Sequence, residues 1–143
     1  APIDGFGVGT ALDTSSDAPT LDAVYKLQSY AGVARRKRSE GKATWPGIKQ
    51  VWRRYDANGF LAGDRVGLAD EPAWGEALLQ PCMRAGRRLP TMPTLDEARA
   101  HCRAQLARLP EALRRLEPAP DAFPVEISAG LHALAREVDA ATS

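Results

Sequence analysis

Histidine and cysteine are scarce, with two of each in 143 residues. Cys82 and Cys102 stand twenty residues apart in different kinds of segment, and the chain shows neither a C-x₂-C nor an H-x₃-H spacing. A zinc site needs more ligands at a recognisable interval, so no metal ligand is assigned. His101 and His132 fall in separate helical stretches. His101 and Cys102, being neighbours, point about 100° apart on a helix. Nothing argues for an oxidising compartment, and both thiols are expected to be buried. No apolar run approaches the roughly 18 residues of a membrane-spanning helix. The opening "APIDGFGVGT" lacks a basic n-region followed by an apolar stretch, so it carries no secretory signal. It enters directly into an apparent core strand, which reads as part of something longer.

What is present is ordinary for one globular domain: 44% hydrophobic and 26% charged residues. The net charge of +1 is spread unevenly. Residues 26–54 hold nine basic side chains and the single acid Glu40, so +8 there is offset by −7 elsewhere. Such asymmetry speaks of partners, not of fold.

The first half reads as strands. Residues 22–30, "DAVYKLQSY", alternate so that Tyr25, Leu27 and Ser29 share a face. Ala31-Gly32 predicts a tight turn into 33–39, and Gly41 and Pro46-Gly47 are further turn signals. A strand is expected over 48–55, then an Asn58-Gly59 type I′ turn into a strand over 60–69. Another short strand is expected over 76–84. Consecutive strands joined by short turns indicate antiparallel pairing. The second half is helical. Thr94 and Glu97 form a capping box, and Leu95, Ala98, Cys102, Leu106 and Leu109 make an apolar stripe expected to face a core. Pro110 breaks that helix and starts another at its first position. Ser128 caps a last helix with the stripe Leu131, Leu134, Ala135, Val138.

Two features carry chemistry. "DGFGVGTALDTSS" (4–16) sets Gly5, Gly7 and Gly9 before hydroxyls. Its G-x-G-x-G-T spacing is neither a dinucleotide fingerprint nor a Walker loop, so it is either a phosphate cradle or a strand turning a corner. The basic segment interleaves Tyr30, Trp45, Trp52 and Tyr55 with lysines and arginines. It suits nucleic acid by stacking and charge, or a small phosphorylated molecule. Composition does not choose.

The order of motifs does. "FGVGT" (6–10), "TSSDAPTLDAVYKL" (14–27) and the spaced set Lys37, Ser39, Lys42, Thr44, Pro46, Gly47 and Lys49 followed by "QVWR" resemble the C-terminal part of nicotinate phosphoribosyltransferase. "LPTMPTLDEAR" (89–99), "LARLP" (106–110) and "FPVEISAGLHAL" (123–134) continue the likeness in order. The resemblance implies an enzyme of NAD salvage. It joins nicotinate to phosphoribosyl pyrophosphate with ATP hydrolysis through a phosphohistidine, assisted by Mg²⁺, as a cytoplasmic homodimer with shared active sites. It implies an α/β fold: the end of a type II phosphoribosyltransferase barrel (1–20), an antiparallel β segment of a second domain (21–84) and C-terminal helices (85–143). Gly7, Val8, Gly9 and Thr10 inherit a place near the nucleotide 5′-phosphate. Lys37, Ser39, Lys42 and Lys49 match the family pattern as substrate or inter-subunit contacts. Arg35, Arg36, Arg38 and Trp45 depart from it, and the arginines are expected to be a solvated strand edge. The phosphorylated histidine and most substrate contacts lie upstream in the family. This chain alone is therefore expected to be inactive, to bind neither Mg²⁺ nor ATP, and to aggregate through exposed apolar faces. The alternative is a nucleic-acid-binding β module using 26–54.

Overall fold

The computed structural model describes Gly5, Gly7, Gly9 and Thr14, then residues 25–90, 92–115, 117 and 119–141. The expected barrel strand and most of the glycine-rich stretch, Val8 and Thr10 included, lie outside the described residues.

Pairing begins later than the alternation suggests. Of 22–30, only β1 (Ser29–Tyr30) is a strand, while Tyr25 and Leu27 are exposed and residues 22–24 lie outside the described residues. Ahead of β1 the Gln28 carbonyl accepts from two different segments, the N–H groups of Arg35 (2.9 Å) and Gly47 (2.8 Å), so no single ladder continues there. The expected turn forms at Ala31 (φ 49°) and Gly32 (φ 76°), and β2 (Val33–Ala34) returns antiparallel to β1.

The main sheet starts with β3 (Lys49–Tyr55) and β4 (Leu61–Leu68), which pair antiparallel from Lys49↔Leu68 to Tyr55↔Leu61. Their connection is not a two-residue type I′ turn, because of residues 56–60 only Gly59 has positive φ (83°). Asp56 organises it instead. Its carboxylate accepts from the N–H groups of Asn58 and Phe60, and its carbonyl accepts from that of Gly59. This is a type I turn closed by a left-handed glycine.

The strand expected over 76–84 divides. β5 (Glu76–Ala77) pairs antiparallel with β3, after which the Gln50 side-chain amide takes over, accepting from Leu79 N–H (2.8 Å) and donating to its carbonyl (3.0 Å). Pro81 then has no N–H with which to extend a ladder. Met83–Arg84 (β6) and Arg87–Arg88 (β7) form a separate exposed hairpin around Ala85 and Gly86, both with positive φ.

Thr94 and Glu97 do build a capping box, opening α1 (Leu95–Ala107). Arg108 caps its C-terminal end, and α2 (Glu111–Arg114) follows with Pro110 as the N-cap, one position before the first helical residue. α1 buries none of its residues. Its apolar stripe is open, with Leu95 66% and Leu106 54% exposed. Both cysteines are exposed as well, Cys102 on that stripe and Cys82 beside the β6–β7 hairpin, so the expectation of buried thiols fails together with that of a core-facing α1. The periodicity is real, but no residue of α1 is buried behind it.

A short strand between α2 and α3, which the sequence reading does not predict, completes the sheet. β8 (Val125–Ile127) lies parallel to β4, from Asp64↔Val125 to Val66↔Ile127, so the sheet is mixed in the order β5-β3-β4-β8. The strands between residues 25 and 84 pair antiparallel, and the parallel member comes from the C-terminal region. α3 (Ala129–Ala140) follows at once, and Leu131 and Ala135 join Trp52 and Leu61 in the core. Ser128 accepts from Leu131 N–H (3.0 Å) while its hydroxyl donates to Glu71 Oε1 (2.7 Å), which ties α3 to the end of β4. Gly67 and Gly130 leave room for that carboxylate, since a Cβ on either would come within 2.7 Å of a Glu71 oxygen.

The exposed box of α1 has a pH signature. The Thr94 N–H, then its hydroxyl, hold the Glu97 carboxyl below its ordinary value. A lowered folded pKa contributes stability above the ordinary carboxylate range and loses it as pH falls through the folded value. Acidification below about pH 4.5 should therefore fray α1, while Glu97→Gln, which keeps a capping side chain, should flatten that acid limb in circular dichroism at 222 nm.

Candidate functional site: the basic loop

Four candidate polar residues fall on one loop between β2 and β3. Lys37 and Thr44 face each other across it. The Lys37 N–H donates to Thr44 Oγ1 (3.0 Å) and the Thr44 N–H to the Lys37 carbonyl (3.0 Å). At the tip the Lys42 N–H donates to the Ser39 carbonyl (3.0 Å), and Gly41 makes the bend with φ 65°. The spacing K-x-S-x-x-K-x-T thus describes a closed turn whose threonine latches it. Lys37, Ser39 and Lys42 are all exposed.

Lys49, the first residue of β3, is placed differently from Lys37, Ser39 and Lys42. Its ammonium donates to the carbonyls of Gly47 (2.7 Å) and Trp45 (2.8 Å) and approaches Gln28 Oε1 at 3.3 Å. It sits half-buried at the root of the loop, and burial lowers its pKa from the ordinary lysine value. Three oxygens around one ammonium satisfy all its donors, so Lys49 binds the chain to itself. Pro46 and Gly47 are buried beside it, and a Cβ on Gly47 (φ 78°) would meet Leu134 Cδ2 at 2.8 Å.

The arginines are not a uniformly solvated edge. Arg35 is exposed, but Arg36 pairs with Asp139 Oδ1 (3.5 Å) and Arg38 donates to the Asp139 carbonyl (3.4 Å) near the end of α3. Trp45 meets His132 of α3 edge-on, with ring centroids 4.9 Å apart. The departures Arg36, Arg38 and Trp45 therefore share a role, which is to dock the loop on α3. Gln28 and Asp139 were not found from the sequence. An uncharged glutamine and one acid in a helix's last turn carry no motif.

Of the proposed phosphate cradle only Gly7 and Gly9 are described. No described atom comes within 4 Å of a Cβ built on either. Packing against described neighbours does not require glycine there. Among the described residues no three His, Cys, Asp or Glu side chains group as metal ligands, and no helix is long and apolar enough to cross a membrane.

Residues 72–135 match the family model described as the nicotinate phosphoribosyltransferase C-terminal domain. A nicotinate phosphoribosyltransferase of Mycobacterium tuberculosis is 48% identical over 128 residues, covering 89% of this chain and 27% of its own length. The Homo sapiens nicotinate phosphoribosyltransferase is 31% identical over 166 residues, covering 99% of this chain and 31% of its own. The crystal structure of human nicotinic acid phosphoribosyltransferase superposes with a TM-score of 0.64 at 29% identity, over 81% of this chain and 26% of that one. The chain thus spans less than a third of the length of these relatives. These matches lend no support to a nucleic-acid module over 26–54.

Proposed function

This chain belongs to the nicotinate phosphoribosyltransferase family, corresponding to its C-terminal part, and on that premise we propose that it completes an enzyme forming nicotinate mononucleotide from nicotinate and phosphoribosyl pyrophosphate. The observation that carries the reading is the 48% identity to the Mycobacterium tuberculosis enzyme across 89% of the chain. In this reading residues 1–20 end the barrel, 21–84 form the β segment and 85–143 the C-terminal helical part. The whole enzyme works in the cytoplasm as a homodimer coupled to ATP hydrolysis.

Gly7, Val8, Gly9 and Thr10 hold the 5′-phosphate through backbone N–H groups and the Thr10 hydroxyl. A glycine backbone, having no side chain, admits close approach of an anion to its N–H groups. Lys37, Ser39 and Lys42 face anionic substrate or the second subunit with their free side chains. Lys49 shapes the loop from beneath. Mg²⁺, if bound in the complete enzyme, would supply positive charge that offsets the charge of the pyrophosphate. In this reading the groups that hold it and the chemical step belong to the remainder of the enzyme.

Gly9→Asp tests the cradle in the full-length enzyme. A carboxylate set where the phosphate lies should lower kcat/KM by about a hundredfold or more, with an unchanged far-ultraviolet spectrum. Full activity in that variant would remove Gly9 from the site. Absence of nicotinate mononucleotide formation by the wild-type enzyme would overturn the function.

A further inference from the structure

Arg36 and Arg38 converge on a single residue about a hundred positions later. The Arg36 guanidinium is largely covered, at 17% exposure, and lies against the Asp139 carboxylate, which is 40% exposed. Arg38 reaches the carbonyl of the same residue. Asp139 stands one residue before the end of α3, where the helix's terminal carbonyls carry partial negative charge and favour guanidinium groups. Lys37 lies between the two arginines in sequence, and its backbone bonds Thr44 across the loop. The loop is thus fastened at its root and on its flank. At the root Lys49 holds Gln28, Trp45 and Gly47 while Trp45 meets His132 of α3, and on the flank Asp139 holds Arg36 and Arg38. A root alone leaves a loop free to swing, whereas a second point removes that freedom.

We propose that Asp139 is a positioning residue for the enzyme's anionic substrate. Through Arg36 and Arg38 it holds the 37–44 loop on α3, so that Lys37 and Lys42 present their charges in one fixed direction. The inference rests on the functional reading above and adds to it a control point remote from the loop tip. The contact is a partly exposed ion pair, so its effect is modest and weakens with salt.

The test uses the full-length enzyme with Asp139→Asn, Arg36→Gln, the double variant and Asp139→Glu. KM for phosphoribosyl pyrophosphate should rise roughly threefold to fivefold in each single neutral variant, with kcat within about twofold. The double variant should be no worse than the singles, and Asp139→Glu should recover most of the loss. Amide hydrogen exchange supplies a readout independent of activity. The Lys37, Lys42 and Thr44 N–H groups should exchange faster in Asp139→Asn, while those of β3 and β4 stay protected. Unchanged KM with unchanged loop exchange overturns the proposal, as do strictly additive effects in the double variant. A wild-type enzyme inactive on nicotinate sinks the functional reading instead, and the exchange measurement still decides the clasp.

Discussion

Replacing Trp52 by alanine should remove about 3–5 kcal/mol of stability, the largest loss expected from one substitution in this chain. Trp52 is 3% exposed on β3, with β4 and β5 on either side, opposite Arg65 and Ala77. Its ring covers Gly67 so closely that a Cβ there would lie 2.9 Å from Cζ3. Gly67 has no side chain with which to refill the space, and next to it Ser128 and Glu71 are held by their own hydrogen bond. The indole's removal therefore leaves a cavity that cannot readily collapse. A globular domain commonly holds only about 5–15 kcal/mol in all, so most of the margin would go. Denaturant titration should show a lower midpoint, and Trp52→Phe should lose clearly less. A Trp52→Ala midpoint within about 1 kcal/mol of wild type would show that the indole is not the centre of this core.

Gly75→Ala should cost up to about 3 kcal/mol through overpacking against backbone. Gly75 lies immediately before β5, and a Cβ there would fall inside contact distance of the Arg53 carbonyl oxygen, with the carbonyl carbon 2.9 Å away. A flexible side chain could move aside, but a paired strand cannot. Neighbouring contacts leave no slack. Arg54 Nε donates to the Trp74 carbonyl (2.7 Å), the Arg54 guanidinium lies 4.0 Å from the Trp74 ring centroid, and that of Arg65 lies 4.8 Å away. The methyl must push β5 off β3 and disturb this stack, so altered tryptophan fluorescence should accompany the lower midpoint. Gly63→Ala is the control. Its Cβ would meet Pro124 at no closer than 3.4 Å, and the change should cost less than about 1 kcal/mol. Equal losses at the two glycines would point to lost backbone freedom in place of a clash.

The long elements were legible because several local signals agreed on each. β3 and β4 had β-rich runs around a turn, α1 had Thr94 and Glu97, and α3 had Ser128 before a periodic stripe. Misreadings arose where a side chain replaced backbone pairing. Asp56 organised a turn that Asn58-Gly59 alone suggested, and Gln50 capped β5 before Pro81 ended it. β8 is only three residues long and directly follows Pro124, and its strand character comes from a partner about sixty positions away. The α1 stripe shows the converse: a period of 3.6 announces an apolar face without naming what covers it. In the basic loop the residue types were visible, but their division of labour was not. Whether a lysine reaches outward or is enclosed by carbonyls depends on where Gln28 and Gly47 return, which no spacing records.

The parallel pairing of β4 with β8 has a topological consequence. After β4 the chain adds β5 to the far edge of the sheet and returns to it at β8, so the β6–β7 hairpin and α1 lie on an excursion that starts and ends in one sheet. Ser128 bonded to Glu71 adds a side-chain tie at that junction. A protease nick within the exposed α1 would leave two covalent pieces that stay together, because the severed ends lie away from the seam that unites them. The same arrangement makes the seam late to form, since it closes a loop of more than fifty residues before any of its hydrogen bonds is gained. The sheet acts as a non-covalent staple, closed last and independent of the continuity of the strap it spans.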